Sequence, residues 1–100
     1  MMTLDERSMI VRRCLVSGRV QGVYYRASAR ARALDLGVCG VARNLADGRV
    51  EVLAIGEEAV VARLIEWLWD GPPTARVENV DVSSIDEVEW KGYSGAFTIE

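Results

Sequence analysis

Apolar and polar residues alternate along this chain in two rhythms. From Met9 to Val16 (MIVRRCLV) aliphatic and β-branched residues dominate and predict a strand, although the adjacent Arg12 and Arg13 blur the alternation. From Tyr25 to Leu36 the apolar positions Tyr25, Ala29, Ala33 and Leu36 recur at helical spacing, with Arg30, Arg32 and Asp35 on other faces and Gly37 as a C-terminal stop. Strand character returns from Val38 to Arg43 (VCGVAR) and from Arg49 to Ile55 (RVEVLAI), and the intervening Ala46-Asp47-Gly48 has turn chemistry, so this pair predicts a hairpin. Glu57 and Glu58 open a second helix, where carboxylates favour the positive dipole end. Its apolar stripe is Val61, Leu64, Ile65 and Leu68, and Gly71-Pro72-Pro73 ends it. Trp67 and Trp69 do not both fit on that stripe, which leaves one of them at the edge of the core. Ala75 to Val82 predicts a fourth strand. Ala96 to Ile99 predicts a short fifth one, after a polar, glycine-containing link over 83–95.

This order predicts an α+β fold of the ferredoxin-like βαββαβ type, an antiparallel sheet with two helices packed on one face. One domain over residues 9–100 is expected, preceded by a frayed or disordered N-terminus over 1–8. Half of the 100 residues are apolar, enough for one modest core without staples. The net charge of −3 argues against a general nucleic-acid binder even though eleven of the twelve basic residues are arginines, so any anion site must be local. No apolar run reaches the length of a membrane span, and Met1 to Ser8 is acidic and polar, unlike a signal peptide. A cytoplasmic monomer with no membrane or nucleic-acid partner is expected.

The sequence contains no histidine, which removes the commonest general base and the commonest transition-metal ligand. Cys14 and Cys39 are far apart and form no CxxC, so nothing supports a zinc or redox motif, and neither a metal nor another cofactor is expected. Both read as small buried residues; their spacing leaves a disulfide between the first two strands open.

Between the first strand and the first helix lies the stretch Val16-Ser17-Gly18-Arg19-Val20-Gln21-Gly22-Val23-Tyr24-Tyr25-Arg26. Gly18 and Gly22 let the backbone turn so that successive amide N–H groups point into one concavity, and the helix start adds unpaired N–H groups and its positive dipole end. Arg26, in the first helical turn, has the fork to cover a phosphate held there. The plain alternative is a tight strand-to-helix turn with a solvated arginine.

In the predicted topology the second strand ends at Asn44 near this cradle. A neutral amide takes no proton from water, yet its acceptor and donors can fix a water in line with a bound phosphorus. The alternative is a turn-forming asparagine. Phosphate held by amides and Arg26, with water placed by Asn44, fits phosphoryl transfer to water by positioning and charge stabilisation. An alkyl phosphate would leave as a basic alkoxide in need of a proton donor. An acyl phosphate leaves as a carboxylate whose conjugate acid has a pKa of about 4, so it needs none, consistent with the missing histidine.

These residues resemble the acylphosphatase family over nearly the whole chain. Its first signature is matched by Val16, Gly18, Val20, Gln21, Gly22, Val23, Tyr25 and Arg26, with Tyr25 where phenylalanine or methionine is usual. The second is matched by Gly40, Val41, Ala42, Arg43, Asn44, Gly48, Val50 and Gly56, with Val41 where an aromatic residue is usual. Gly71-Pro72, Ala75, Val77, Phe97 and Ile99 resemble later stretches of the family. The resemblance implies metal-free hydrolysis of carboxyl-phosphate bonds. Arg26 would be the catalytic, phosphate-binding arginine and Asn44 the catalytic residue that orients water. The main-chain amides of Gln21, Gly22, Val23, Tyr24, Tyr25 and Arg26 would complete the phosphate site, and a substrate phosphate oxygen would accept the water's proton. A hydroxyl on a buried Tyr25 would need a partner.

Two other readings compete. The domain would bind an anion or a partner without turnover, since one fold hosts many functions. Or it would be a single-stranded RNA module on a similar sheet, against which the central strands MIVRRCLV and RVEVLAI lack stacking aromatics.

Overall fold

Each apolar stretch becomes one element of a two-layer structure, seen in a computed structural model that describes residues 9–85 and 96–100. The elements are β1 (Met9–Arg19), α1 (Tyr25–Leu36), β2 (Cys39–Asn44), β3 (Val50–Glu57), α2 (Glu58–Asp70), β4 (Arg76–Ser84) and β5 (Phe97–Ile99). The expected frayed segment 1–8 and most of the polar link 83–95 lie outside the described residues. The sheet order is β4-β1-β3-β2-β5. β1 pairs antiparallel with both β3 and β4, and β2 pairs antiparallel with β3, the ferredoxin-like arrangement.

β5 departs from the expectation of a wholly antiparallel sheet. It lies parallel to β2 at the edge, with Gly40 opposite Phe97 and Ala42 opposite Ile99, which makes the sheet mixed. The reason is the open edge of β2. Gly40 N–H donates to Ala96 C=O (2.8 Å) and Glu100 N–H to Ala42 C=O (2.9 Å), so β5 satisfies groups that an edge strand would expose. This placement also carries Ile99 and Glu100 to the first turn of α1.

The helices cover one face. Tyr25, Ala29 and Ala33 of α1 and Val61, Leu64 and Leu68 of α2 pack with Cys14, Val16, Val50, Val52, Ala54 and Phe97 of the sheet in one buried cluster. Trp67 packs against this cluster while Trp69 is exposed, the split that the α2 stripe predicts. Cys14 is buried, Cys39 only partly so, and both are free thiols; burial pushes the Cys14 thiol up to about 12.

Two strand boundaries differ from the pattern for identifiable reasons. β2 begins after Val38 because Val38 N–H closes the end of α1 on Ala33 C=O (2.8 Å). β1 continues through Gly18 to Arg19 because β4 pairs with it there, across a register shift at Ser17/Gly18. Gly18 has φ +121°, and a Cβ at this position would lie 2.2 Å from Arg76 C=O. Gly18 thus serves a bulge against β4 rather than the concavity, which begins beyond it.

Candidate active site

Past Arg19 the chain alternates buried and exposed positions. Val20, Val23 and Tyr25 are buried while Gly22 and Tyr24 are exposed, so three apolar side chains pin the loop and leave its backbone facing outward. Gly22 (φ +74°) and Tyr24 (φ +64°, ψ +20°) both occupy the left-handed region. Left-handed residues alternating with right-handed or extended ones turn successive N–H groups toward a common point, an anion-binding nest. For Tyr24 that conformation costs on the order of 1–3 kcal/mol, which the surrounding packing must offset.

The first main-chain bond of α1 runs from Ser28 N–H to Tyr24 C=O (3.0 Å), and among the described residues no acceptor meets the N–H groups of Gln21 to Arg26. Tyr24 supplies no side-chain cap, and the first turn holds no acidic residue. No carboxylate of this first turn offsets the positive end of the helix dipole. Arg26 lies in this turn, and its Nη1 donates to Glu100 C=O (2.5 Å). A guanidinium has five N–H donors, and the others meet no acceptor among the described residues. Val20, Gly22, Tyr24, Tyr25, Arg26, Ala27 and Ile99 line a cleft of about 360 Å3 here.

The loop is fastened from outside by side chains whose part the sequence pattern did not indicate. Gln21 Nε2 donates to Leu45 C=O (2.8 Å) and Arg49 C=O (2.9 Å), strapping the loop to the β2–β3 turn. Thr74 Oγ1 donates to Val23 C=O (2.7 Å) from the turn after α2. The Tyr25 hydroxyl donates to Leu68 C=O (2.6 Å), one of the carbonyls that α2 cannot satisfy at its own C-terminus. Its ring packs against Trp67 with centroids 5.9 Å apart. The hydroxyl that distinguishes Tyr25 from phenylalanine therefore has its partner. Burial, with a smaller contribution from Cys14, holds the phenol well above its ordinary pKa and keeps it a donor. Signals for these ties were faint: Gln21 stands out only as a polar side chain between Val20 and Gly22.

Asn44 closes β2, exposed and opposite Val50, which in turn pairs with Val16 near the end of β1. That row and the Gln21 strap bring its end of the hairpin to the loop. Its amide makes no hydrogen bond to a described residue, and the turn is closed instead by Asp47, whose Oδ1 accepts from Arg49 N–H (3.1 Å). Asp47 also pairs with the Arg49 guanidinium (2.8 Å), which lowers its carboxyl pKa. Asn44 is thus not the turn-forming residue.

Behind Asn44, Arg43 Nε lies 3.1 Å from Glu51 Oε1, close but poorly aligned for a hydrogen bond. Its Nη2 is 3.7 Å from Glu100 Oε1. Arg13 Nε donates to Glu51 Oε2 (2.6 Å) from β1. Val41, the second departure from the family pattern, is buried between Leu53 and Thr98.

With this geometry in place, the relatives are informative. The sequence signature of the Acylphosphatase family matches residues 12–99. The chain belongs to the acylphosphatase family. It is 57% identical over 75 residues to an acylphosphatase of Halorhodospira halophila, across 75% of this chain and 82% of that protein. A solved acylphosphatase from Coxiella burnetii superposes with a TM-score of 0.89 at 40% identity, covering 99% of this chain and all of that one. The acylphosphatase from Bacillus subtilis gives 0.83 at 32% identity, over 91% and 98% of the two chains. Membership makes this protein an acylphosphatase-type hydrolase, and the fold is that of the family.

Proposed function

We propose that the protein hydrolyses small acyl phosphates to carboxylate and inorganic phosphate at the loop between β1 and α1. The phosphate sits in the nest and takes hydrogen bonds from the main-chain N–H groups of Gln21, Gly22, Val23, Tyr24, Tyr25 and Arg26. The Arg26 guanidinium neutralises its charge, most strongly as charge builds in the transition state. Asn44 holds a water in line with the phosphorus, across from the departing carboxylate. A non-bridging phosphate oxygen takes the water's proton, and the carboxylate leaves without a general acid because its conjugate acid is already strong. On this reading neither a metal nor a general base from the protein takes part. The observation that carries it is the run of N–H groups from Gln21 to Arg26 that meets no acceptor among the described residues, beside a cleft that Arg26 lines and strapped by Gln21 to the hairpin that holds Asn44.

Among the described residues no helix is long and apolar enough to cross a membrane. Action in the cytoplasm as a monomer belongs to the same proposal. The test is hydrolysis of benzoyl phosphate at neutral pH in EDTA, read by loss of ultraviolet absorbance, for the wild type and Arg26→Ala. Turnover that persists in EDTA and is lost in the variant is expected. A requirement for magnesium refutes the metal-free mechanism, and phosphate binding without turnover makes the domain a binding module.

A further inference from the structure

The nest and Arg26 account for the phosphate half of a substrate; the cleft around them holds more. Its volume of about 360 Å3 falls within the range of roughly 300–1,000 Å3 in which small organic ligands are held, and a phosphate group fills only part of it. The lining includes four apolar or aromatic residues besides the buried Tyr25: Val20, Ala27, Ile99 from β5 and Tyr24. Tyr24 is 79% exposed, the most exposed large apolar side chain described, and it is the one non-glycine residue there with positive φ. Ile99 is also exposed, at 37%. Tyr24 thus sets an exposed ring beside the cleft at a backbone position that glycine or asparagine would occupy with less strain, so its side chain has a use that the turn itself does not supply.

We propose that Tyr24 and Ile99 form an acyl-binding wall that favours acyl phosphates carrying an aromatic or bulky apolar group over acetyl phosphate. This rests on the phosphate placement proposed above. In-line attack puts water and leaving group on opposite sides of the phosphorus, and Asn44 stands outside the lining of this cleft, which leaves the cleft to the acyl group. An aryl group there stacks offset on the Tyr24 ring and covers Ile99, whereas an acetyl group is too short to reach both. Tyr24 also contributes its main-chain N–H to the phosphate, so loss of the ring must be separated from disturbance of the loop. The ratio of two substrates separates them: a disturbed loop weakens both alike, and a lost wall weakens the larger more than the smaller.

The experiment compares kcat/KM for benzoyl and acetyl phosphate in the wild type, Tyr24→Gly, Tyr24→Phe and Ile99→Ala. Calorimetric affinities for phenylphosphonate and methylphosphonate, which are not hydrolysed, are measured alongside. Glycine accepts φ +64° without strain, so Tyr24→Gly removes the ring and keeps the turn. The benzoyl-to-acetyl ratio is expected to fall about tenfold or more in Tyr24→Gly, less in Ile99→Ala, and to hold in Tyr24→Phe, the phosphonate ratio following suit. Turnover of both substrates with an unchanged ratio in Tyr24→Gly overturns the wall and leaves the hydrolase reading standing. If the wild type turns over neither acyl phosphate, the hydrolase reading falls and the phosphonate ratio decides the wall alone. Failure of the wild type to bind either phosphonate overturns the wall as well.

Discussion

Two turns meet at the candidate site, and they handle their polar groups in opposite ways. The β2–β3 turn is self-sufficient. Leu45 N–H donates to Arg49 C=O (2.8 Å), Gly48 N–H to Leu45 C=O (3.2 Å), and Asp47 takes both the main-chain and the side-chain N–H of Arg49. In the β1–α1 loop the N–H groups from Gln21 to Arg26 meet no acceptor among the described residues, yet its side chains and carbonyls are tied down by Gln21, Thr74 and Tyr25. Both segments are short and polar at their tips, so the contrast does not follow from turn chemistry in general. A turn that closes on itself is a platform, and here it presents Asn44. On the proposed reading, a loop tied from behind while its donors stay open suits an anion, because part of the ordering that binding would otherwise require is already in place.

The sharpest way to break this contrast is to remove what each side offers the substrate. Arg26→Ala takes away the charge of the open loop and should abolish turnover together with phosphate affinity, measured as inhibition by inorganic phosphate. Asn44→Ala removes only water placement. It should lower kcat by about a hundred- to a thousand-fold while phosphate affinity stays within twofold of the wild type. If both variants lose affinity and rate in step, the division of labour is wrong; if both keep near-normal rates, the site lies elsewhere.

A smaller effect is expected from cutting the strap between the two turns. Gln21→Ala leaves the loop and the hairpin individually intact but removes two hydrogen bonds that span them. Each is worth about 0.5–1.5 kcal/mol, and both carbonyls keep a main-chain donor, Gly48 N–H on Leu45 C=O and Leu45 N–H on Arg49 C=O. A stability loss of about 1–2 kcal/mol by denaturant titration is expected. The accompanying fall in kcat/KM should be about tenfold, because small displacements of positioned groups are amplified in rate. Loss of stability without loss of rate would show that the strap serves the fold alone.

What was legible in the sequence follows how far apart the interacting residues are. The Tyr25–Leu36 helix matches its predicted span, because its stripe and its C-terminal glycine are local signals. The loop and Asn44 were legible as candidates through glycine spacing, one arginine and strand order. The bulge at Gly18 was not, because its cause is the approach of Arg76, far along the chain. Nor was the parallel pairing of β5, whose three residues carry no sign of which edge they join. Thr74 is one hydroxyl after two prolines, and only the folded chain sets it against Val23. Charge, helix face and turn chemistry can be read locally; ties between distant segments cannot, and those ties make the loop rigid.

The smallest predicted effect tests the loop's deepest anchor. Tyr25→Phe keeps the ring against Trp67 and removes the donor to Leu68 C=O, at a stability cost of about 1 kcal/mol and with turnover little changed, since the hydroxyl points away from the nest. The pH dependence separates this from simple loss of packing. The phenol's pKa in the folded state lies above its unfolded value of about 10, so its contribution is fully present below pH 10 and is lost as pH rises toward the folded value. The wild-type stability advantage over Tyr25→Phe should hold from pH 6 to about 9 and shrink above pH 10. An advantage unchanged at pH 11 would mean that the buried hydroxyl is not the group that anchors the loop.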